Sequence, residues 1–490
     1  MDSRTTSATR DAFEDPRLKA SALLLCTAIA AVVAGALASA QPLLAVAAII
    51  GVGLAICVWR CPATVAVLIV GVTPLVAGID RGKLIPLLRP NEALVMVLAA
   101  ILAARGLIRA PSRLGIRDRL NPLEWSLVLM AIAGSFVPLV WMVARGEHPT
   151  GDDISYALVL WKYLAVYVLV RVSVRTDREV LWCLTASVAA ATVVGLLAIL
   201  QSLDLLGVRE LMMTWWIPEG TNPETINSPR AGSTVELPAA AADLLVFNLA
   251  IVAGIWYRIG RHRALLAMPV AIFIPGVFAA AEFSSVLALV VGGVALTFAL
   301  RRLDLLRYAP FVLIITGILM WPVIQHRLIG FQGVTGLPVS WTTRLFNLRT
   351  YFWPELFSGP NILLGVRPAA RVPVATQDTG YVWIESGYTW LLWGGGIPLF
   401  AAFIHFVHTA GRITLRLCRP LSSWSSVAAL AAFVAVIVIV VGMLFDPHLT
   451  YRGSADSFFS LLALTMTARA GRTGSADVPG LHPSVEGGDR

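Results

Sequence analysis

Apolar stretches of about 20 residues recur along most of this chain, each closed by a short polar joint. A stretch of that length crosses the hydrocarbon of a bilayer as a helix. Lipid offers no water to a backbone N–H or C=O, so a crossing segment must satisfy its own backbone, as a helix does. Candidates are 21–39, 42–59, 62–78, 92–107, 122–143, 154–170, 180–203, 236–257, 265–281, 283–300, 308–325, 383–408, 424–444 and a short last one, 455–468. That makes about fourteen; closely spaced pairs such as 42–59 with 62–78 could be half-helices, so twelve remains possible. Composition agrees: 57% of residues are hydrophobic and 14% charged, where a soluble chain would carry roughly a quarter charged. The sequence therefore predicts an all-α, polytopic transmembrane bundle. Residues 21–470 read as one integral domain, with polar tails at 1–20 and 471–490. No cleavable signal peptide is expected, because the apolar run behind the first tail is long enough to span and stay.

Arginine clusters set the expected orientation. Arg105, Arg109, Arg113, Arg117 and Arg119 flank one joint, and Arg301, Arg302 and Arg307 another. With the N-terminus inside, these clusters are cytoplasmic, as are those around Arg175, Arg261 and Arg416. About 25 of the 38 lysines and arginines then lie inside and about 12 outside, as the positive-inside rule requires. Both termini are expected in the cytoplasm. The net charge of +9 is accordingly a topology signal, and no nucleic-acid partner is expected.

The arginines left outside gather in two loops, 204–235 and 326–382. The second carries Arg327, Arg344, Arg349, Arg367 and Arg371, and returns to apolar sequence as YVWIESGYTWLLWGGGIPLF. One carboxylate, Glu385, stands at the rim of that returning helix. Cations beside a membrane suit an anionic lipid-linked ligand, and a carboxylate there could deprotonate an acceptor. Solvated loop decoration is the competing account of the arginines. For Glu385 the competitor is a helix N-terminal carboxylate that stabilises the macrodipole. Tyr388, one turn further on the same face, either hydrogen-bonds a sugar or anchors at the interface, as Trp383 and Trp390 do.

Four other sets of polar residues stand out. Lys162, inside WKYLAVYVLV, is a binding candidate because an intramembrane lysine is costly, with snorkelling as the alternative. Glu236 and Asp243 lie seven residues apart, hence on one helix face, where they orient Arg230, form a second acidic site, or cap the helix. Glu282, in a tight turn, reads as interfacial. Asp446, His448 and Arg452 form a small loop cluster with no direct role expected. No metal or cofactor is expected, since Asp152-Asp153 is adjacent rather than spaced and Cys57 and Cys61 lack histidine partners. All 5 cysteines fall in or beside apolar segments, so no disulfide framework is expected.

Two stretches resemble the O-antigen ligase and polysaccharide polymerase superfamily of multi-pass bacterial glycosyltransferases. Glu385-Ser386-Gly387-Tyr388-Thr389, followed by Gly396-Ile397, is similar to a His-Asn-x-Tyr-Leu pattern with a later Gly-Leu or Gly-Ile pair. Arg344 and then Gly365-Val366-Arg367 resemble an arginine followed by Gly-x-Gly. The stretch SPRAGSTVELPAAAADLL is similar to an Arg-x-Gly-Ser/Thr motif leading into a helix, which carries over Arg230 and Gly232. The likeness covers roughly 225–410. It departs where Glu385 replaces the ligase histidine, which favours the polymerase-like branch, and where Ser284-Ser285 stands in place of Ser-Arg.

The resemblance implies a metal-independent transfer of a glycan from a polyprenyl-diphosphate donor to a glycan or lipid acceptor hydroxyl. It also implies a site on the outer face of the bacterial plasma (inner) membrane, with membrane lipids around it. Guanidinium groups bind a diphosphate bidentately and stay charged. Arg230 and Arg344 come first for that role, with Arg349, Arg367 and Arg371 behind them, and Glu385 is the expected general base. A multi-pass transporter or lipid-linked glycan flippase is the rival from another class, and a non-catalytic scaffold of the same shape is a third. A transporter should carry more mid-membrane charges than Lys162 and should show an internal repeat, and none is evident in the sequence.

Overall fold

A computed structural model describes residues 42–85, 88–109, 120–217, 228–259, 263–329, 339–374 and 380–467. The expected first span at 21–39, both tails and the Arg327 side chain lie outside the described residues. The helices are, in order, α1 (Pro42–Arg60), α2 (Ala63–Val76), α3 (Pro90–Arg109), α4 (Pro122–Ala133), α5 (Phe136–Ala144), α6 (Gly151–Ala157) and α7 (Val159–Ser173). There follow α8 (Asp177–Ser202), α9 (Val208–Trp215), α10 (Pro238–Arg258), α11 (Arg263–Ala279), α12 (Phe283–Leu300), α13 (Ala309–Leu319), α14 (Trp321–Ile329) and α15 (Val339–Asn347). The last are α16 (Trp353–Leu356), α17 (Asn361–Leu364), α18 (Gly387–Leu417), α19 (Trp424–Gly442) and α20 (Ser454–Thr465). Among the described residues, 8 helical segments are long and apolar enough to cross a membrane, with four shorter apolar helices beside them. The protein is an all-α, multi-pass membrane protein.

Local sequence explains where helices start. The first N–H groups of a helix lack intrahelical partners, and a polar side chain just before it supplies one. Asn121 caps α4 and Thr176 caps α8, each answered by a glutamate three residues on, Glu124 and Glu179. Ser423 does the same for α19 with Ser426.

Alanine-rich α10 and α19 form the centre, with 83% of each spanning window buried. Small side chains let neighbouring backbones approach, which substitutes for a hydrophobic driving force that lipid does not provide. α20 lies with them. Its 12 residues reach about 18 Å, short of a bilayer's ~30 Å hydrocarbon, and all are buried. The short span expected at 455–468 is thus, over its described residues, a packed inner half-helix.

The second arginine-rich loop is folded. Val339–Leu356 runs almost continuously as helix through a π turn at Leu348–Phe352, and α17 follows. A two-stranded antiparallel hairpin, β1 (Arg371–Pro373) and β2 (Tyr381–Trp383), then leads into α18. α18 is broken at Gly396, whose φ of 63° and ψ of −156° leave the helix. A Cβ there would sit 2.4 Å from the Leu363 carbonyl oxygen, so the α17 segment presses directly on the break. The Trp393 carbonyl accepts from the Val366 N–H at 2.7 Å and from the Arg367 N–H at 3.3 Å. The glycine run is thus close packing, as its composition suggests, and also a break sealed by the loop.

Candidate functional site

The ends of α12, α18 and α19 meet α15 around a cavity of about 290 Å³. Its lining includes Arg230, Glu282, Phe283, Arg344, Glu385 and Phe445. Phe283 opens α12, Glu385 lies two residues before α18, and Phe445 lies three beyond the end of α19. All three elements are membrane-spanning by length and composition, which puts the cavity at one end of the bundle. Its volume is close to the lower end of the ~300–1,000 Å³ typical of small-molecule pockets, enough for a charged head group rather than a whole glycan.

Arg344, on α15, is shared by two acids. Its Nη2 is 3.0 Å from Asp446 Oδ2 and its Nε is 3.7 Å from Glu385 Oε1. Burial disfavours its charge, but the two carboxylates and Glu282 outweigh burial, so its pKa stands above the usual value. Arg230 forms an ion pair with Glu282, which also accepts from Ser284 Oγ at 3.3 Å. Burial raises the pKa of Glu385, and Arg344, a hydrogen bond from Asn347 and the more distant Arg230 offset this only in part. Asp446 is pushed up to about 6, again by burial, with Arg344 and His448 opposing. The site therefore holds two carboxyl groups whose protons are exchangeable nearer neutrality than a free carboxylate's.

One wall is aromatic. Phe283, Trp341 and Phe445 touch pairwise, with ring centroids 5.6 to 6.1 Å apart. Phe283 and Leu444 are both more than half exposed at the bundle's surface, so this wall runs from the charged cavity out to where lipid would be.

Behind Asp446 lies a buried pair. His448 Nδ1 is 2.7 Å from Asp243 Oδ2, and each side chain is 1% exposed. The ring lies on Gly442, where a Cβ would come within 2.6 Å of it. Burial lowers the His448 pKa, but the Asp243 charge and hydrogen bond outweigh it and the net shift is upward.

Of the residues singled out by sequence, the fold brings Arg230, Arg344 and Glu385 to one cavity. It places the other five elsewhere. Arg367 forks onto Asp153 at 2.9 and 2.6 Å, and Arg371 pairs with Asp152 while stacking 4.2 Å from the Tyr381 ring. These two arginines tie the loop to the start of α6 rather than lining the pocket. Arg349 is exposed on the π turn. Tyr388 donates to the Val440 carbonyl at 2.8 Å, a helix-to-helix bond. Lys162 pairs with Asp456 at 3.4 Å, at the start of α20. The Asp152-Asp153 doublet was legible as acidic, but its partners lie more than two hundred residues away.

Glu236 and Asp243 do not share a helix face. Glu236 precedes α10 with φ of 75° and binds Arg452 at 2.6 Å and Arg89 at 3.4 Å. Neither acid is paired with Arg230, whose carboxylate partner is Glu282. The loop cluster splits likewise: Asp446 holds the cavity's Arg344 from behind, His448 goes inward and Arg452 joins the separate Glu236 network. Sequence reasoning set Glu282 and Asp446 aside; the signal available was that each directly adjoins the end of an apolar span, as Glu385 does. Compared with known proteins, the chain matches no family model and no curated protein.

Proposed function

We propose that this protein is a membrane glycosyltransferase of the polysaccharide polymerase or ligase type. It moves a glycan from a polyprenyl-diphosphate donor to an acceptor hydroxyl at the membrane boundary. The observation that carries this reading is the meeting of Arg230, Arg344 and Glu385, from three distant segments, in one cavity beside the lipid-facing surface. Two guanidiniums suit a diphosphate, and the aromatic wall suits the first isoprenoid units that follow it.

In this reading the acceptor hydroxyl gives its proton to Glu385 as its oxygen bonds to the anomeric carbon. The bond from that carbon to the diphosphate oxygen breaks, and the electron pair leaves on the diphosphate. Arg230 and Arg344 stabilise that growing charge, an interaction stronger in the transition state than before it. The raised Glu385 pKa makes it a better base near neutral pH than a solvated carboxylate. Outer-face placement and a bacterial plasma membrane belong to the same proposal.

One observation favours the rival: Lys162 and Asp456 form an ion pair among packed helices, as transport pathways often contain. The test is purified protein in vesicles with a polyprenyl-diphosphate-linked oligosaccharide. Transfer with release of polyprenyl diphosphate, lost in Glu385→Gln, supports the enzyme. Movement of the intact lipid across the bilayer without cleavage would replace it with the flippase.

A further inference from the structure

Two guanidiniums of this cavity are set against three carboxylates, Glu282 and Glu385 in its lining and Asp446 behind Arg344. Arg230 is taken by Glu282, and Arg344 by both Glu385 and Asp446, so the resting pocket carries one formal negative charge in excess. The Asp243–His448 pair behind it does not reverse that balance. A diphosphate head group adds further negative charge to the same space. Unless a positive charge enters with it, the like charges oppose binding.

The geometry singles out one carboxylate to absorb the difference. Glu282 has two donors, Arg230 and Ser284 Oγ, and Glu385 has one, Asn347, beside its 3.7 Å ion pair with Arg344. Asp446 has one ion pair among the described residues, with Arg344, and its side chain is 13% exposed. If Arg344 turns to a phosphate, Asp446 is left buried without its cation. The groups that face it are Arg344 from α15, Glu385 ahead of α18, Glu282 ahead of α12, and His448 and Tyr451 on its own loop, with Asp243 of α10 behind the histidine. Two of those are acids facing the cavity, and the approaching ligand would be a third anion.

We propose that Asp446 is a proton-linked positioning residue: it takes up a proton as the diphosphate binds and thereby releases Arg344 to the ligand. This rests on the glycosyltransferase reading above. Glu385 meanwhile stays ionised and ready to accept the acceptor's proton. Asp446 touches neither the sugar nor the acceptor; it acts through Arg344. Its position near pH 6 already in the empty pocket makes a further rise through neutrality a short step.

The experiment is calorimetric titration of the full chain in detergent with farnesyl diphosphate at pH 7.5, in two buffers of different ionisation enthalpy. The wild type should take up between about half and one proton per ligand, and its affinity should fall by up to about tenfold per pH unit above neutrality. Asp446→Asn should lose that uptake and bind with a flatter pH profile, Asp446→Glu should regain it, and Glu385→Gln should keep it. Wild-type binding without proton uptake overturns the inference while leaving the enzyme reading standing. Uptake unchanged in Asp446→Asn also overturns it, because the proton then belongs to the ligand or to another carboxylate. Failure of the wild type to bind farnesyl diphosphate at all sinks both.

Discussion

Arg344 lies 3.0 Å from the Asp446 carboxylate, closer than the 3.7 Å that separates it from Glu385. The cation proposed to bind the donor is therefore held most tightly by an acid outside the recognised pattern. Asp446 leaves Glu385 the weaker claim on the guanidinium, which is what a base needs if it is to compete for a proton.

Glu385→Gln keeps the shape and removes the proton acceptor. Transfer should drop by about 10²–10⁴-fold, the usual contribution of a general base, while the unfolding temperature stays close to wild type. Turnover within threefold of wild type, assayed on lipid-linked oligosaccharide, would exclude Glu385 as the base.

Arg344→Lys keeps the charge and loses the fork. It should lower the rate by roughly 10²-fold, as loss of a preorganised donor does. Arg349→Lys, at an exposed position on the π turn, should change it little. Equal effects of the two substitutions would mean that general basicity, not a shaped site, is what matters.

Asp446 supplies a test of stability against pH. Its folded pKa of about 6 lies above the 3.8 of a free aspartate, so the folded state binds protons more readily than the unfolded state. Stability from this group is therefore greatest below pH 4 and falls as pH rises through about 6. Asp446→Asn removes that loss. At pH 8 the variant should be more stable than wild type by on the order of 3 kcal/mol, with the gap closing by pH 4. Thermal unfolding across that range checks it, and a variant less stable at pH 8 refutes the assignment of burial as the dominant cause.

Arg367→Ala should act on the fold rather than on chemistry. It leaves Asp153, 0% exposed, without its cation, a change that costs about 3–5 kcal/mol when a buried pair is broken. Hydrogen exchange should rise in β1, β2 and the α17 segment, and exchange confined to the mutated residue would contradict the tie-down role.

The buried Asp243–His448 pair gives a third stability test. His448→Phe leaves an unpaired acid inside and should destabilise by about 3–5 kcal/mol, whereas Asp243→Asn with His448→Phe together should recover part of the loss. Additive losses in the double variant would show that the two side chains do not act as a pair.

Where chemistry is local, the sequence was readable. Capping residues such as Asn121, Thr176 and Ser423, and runs of apolar residues long enough for a bilayer, mark helices through forces acting within a few residues. Arg230, Arg344 and Glu385 were visible as cations and an acid beside apolar spans. Their partners were not: Glu282, Asp446 and Asp153 are ordinary acids at helix or loop edges until packing puts an arginine next to each.

By itself, then, the sequence determined a helical membrane bundle, because hydrocarbon forces each crossing segment to close its own hydrogen bonds. Only the tertiary structure decided which of its arginines bind the protein and which face a cavity. Arg344 and Arg367 are chemically the same; one meets Asp446 at a pocket and the other meets Asp153 at a seam. An ion pair's role depends on what lies within about 4 Å of it and how much water remains, and neither is written in residue order.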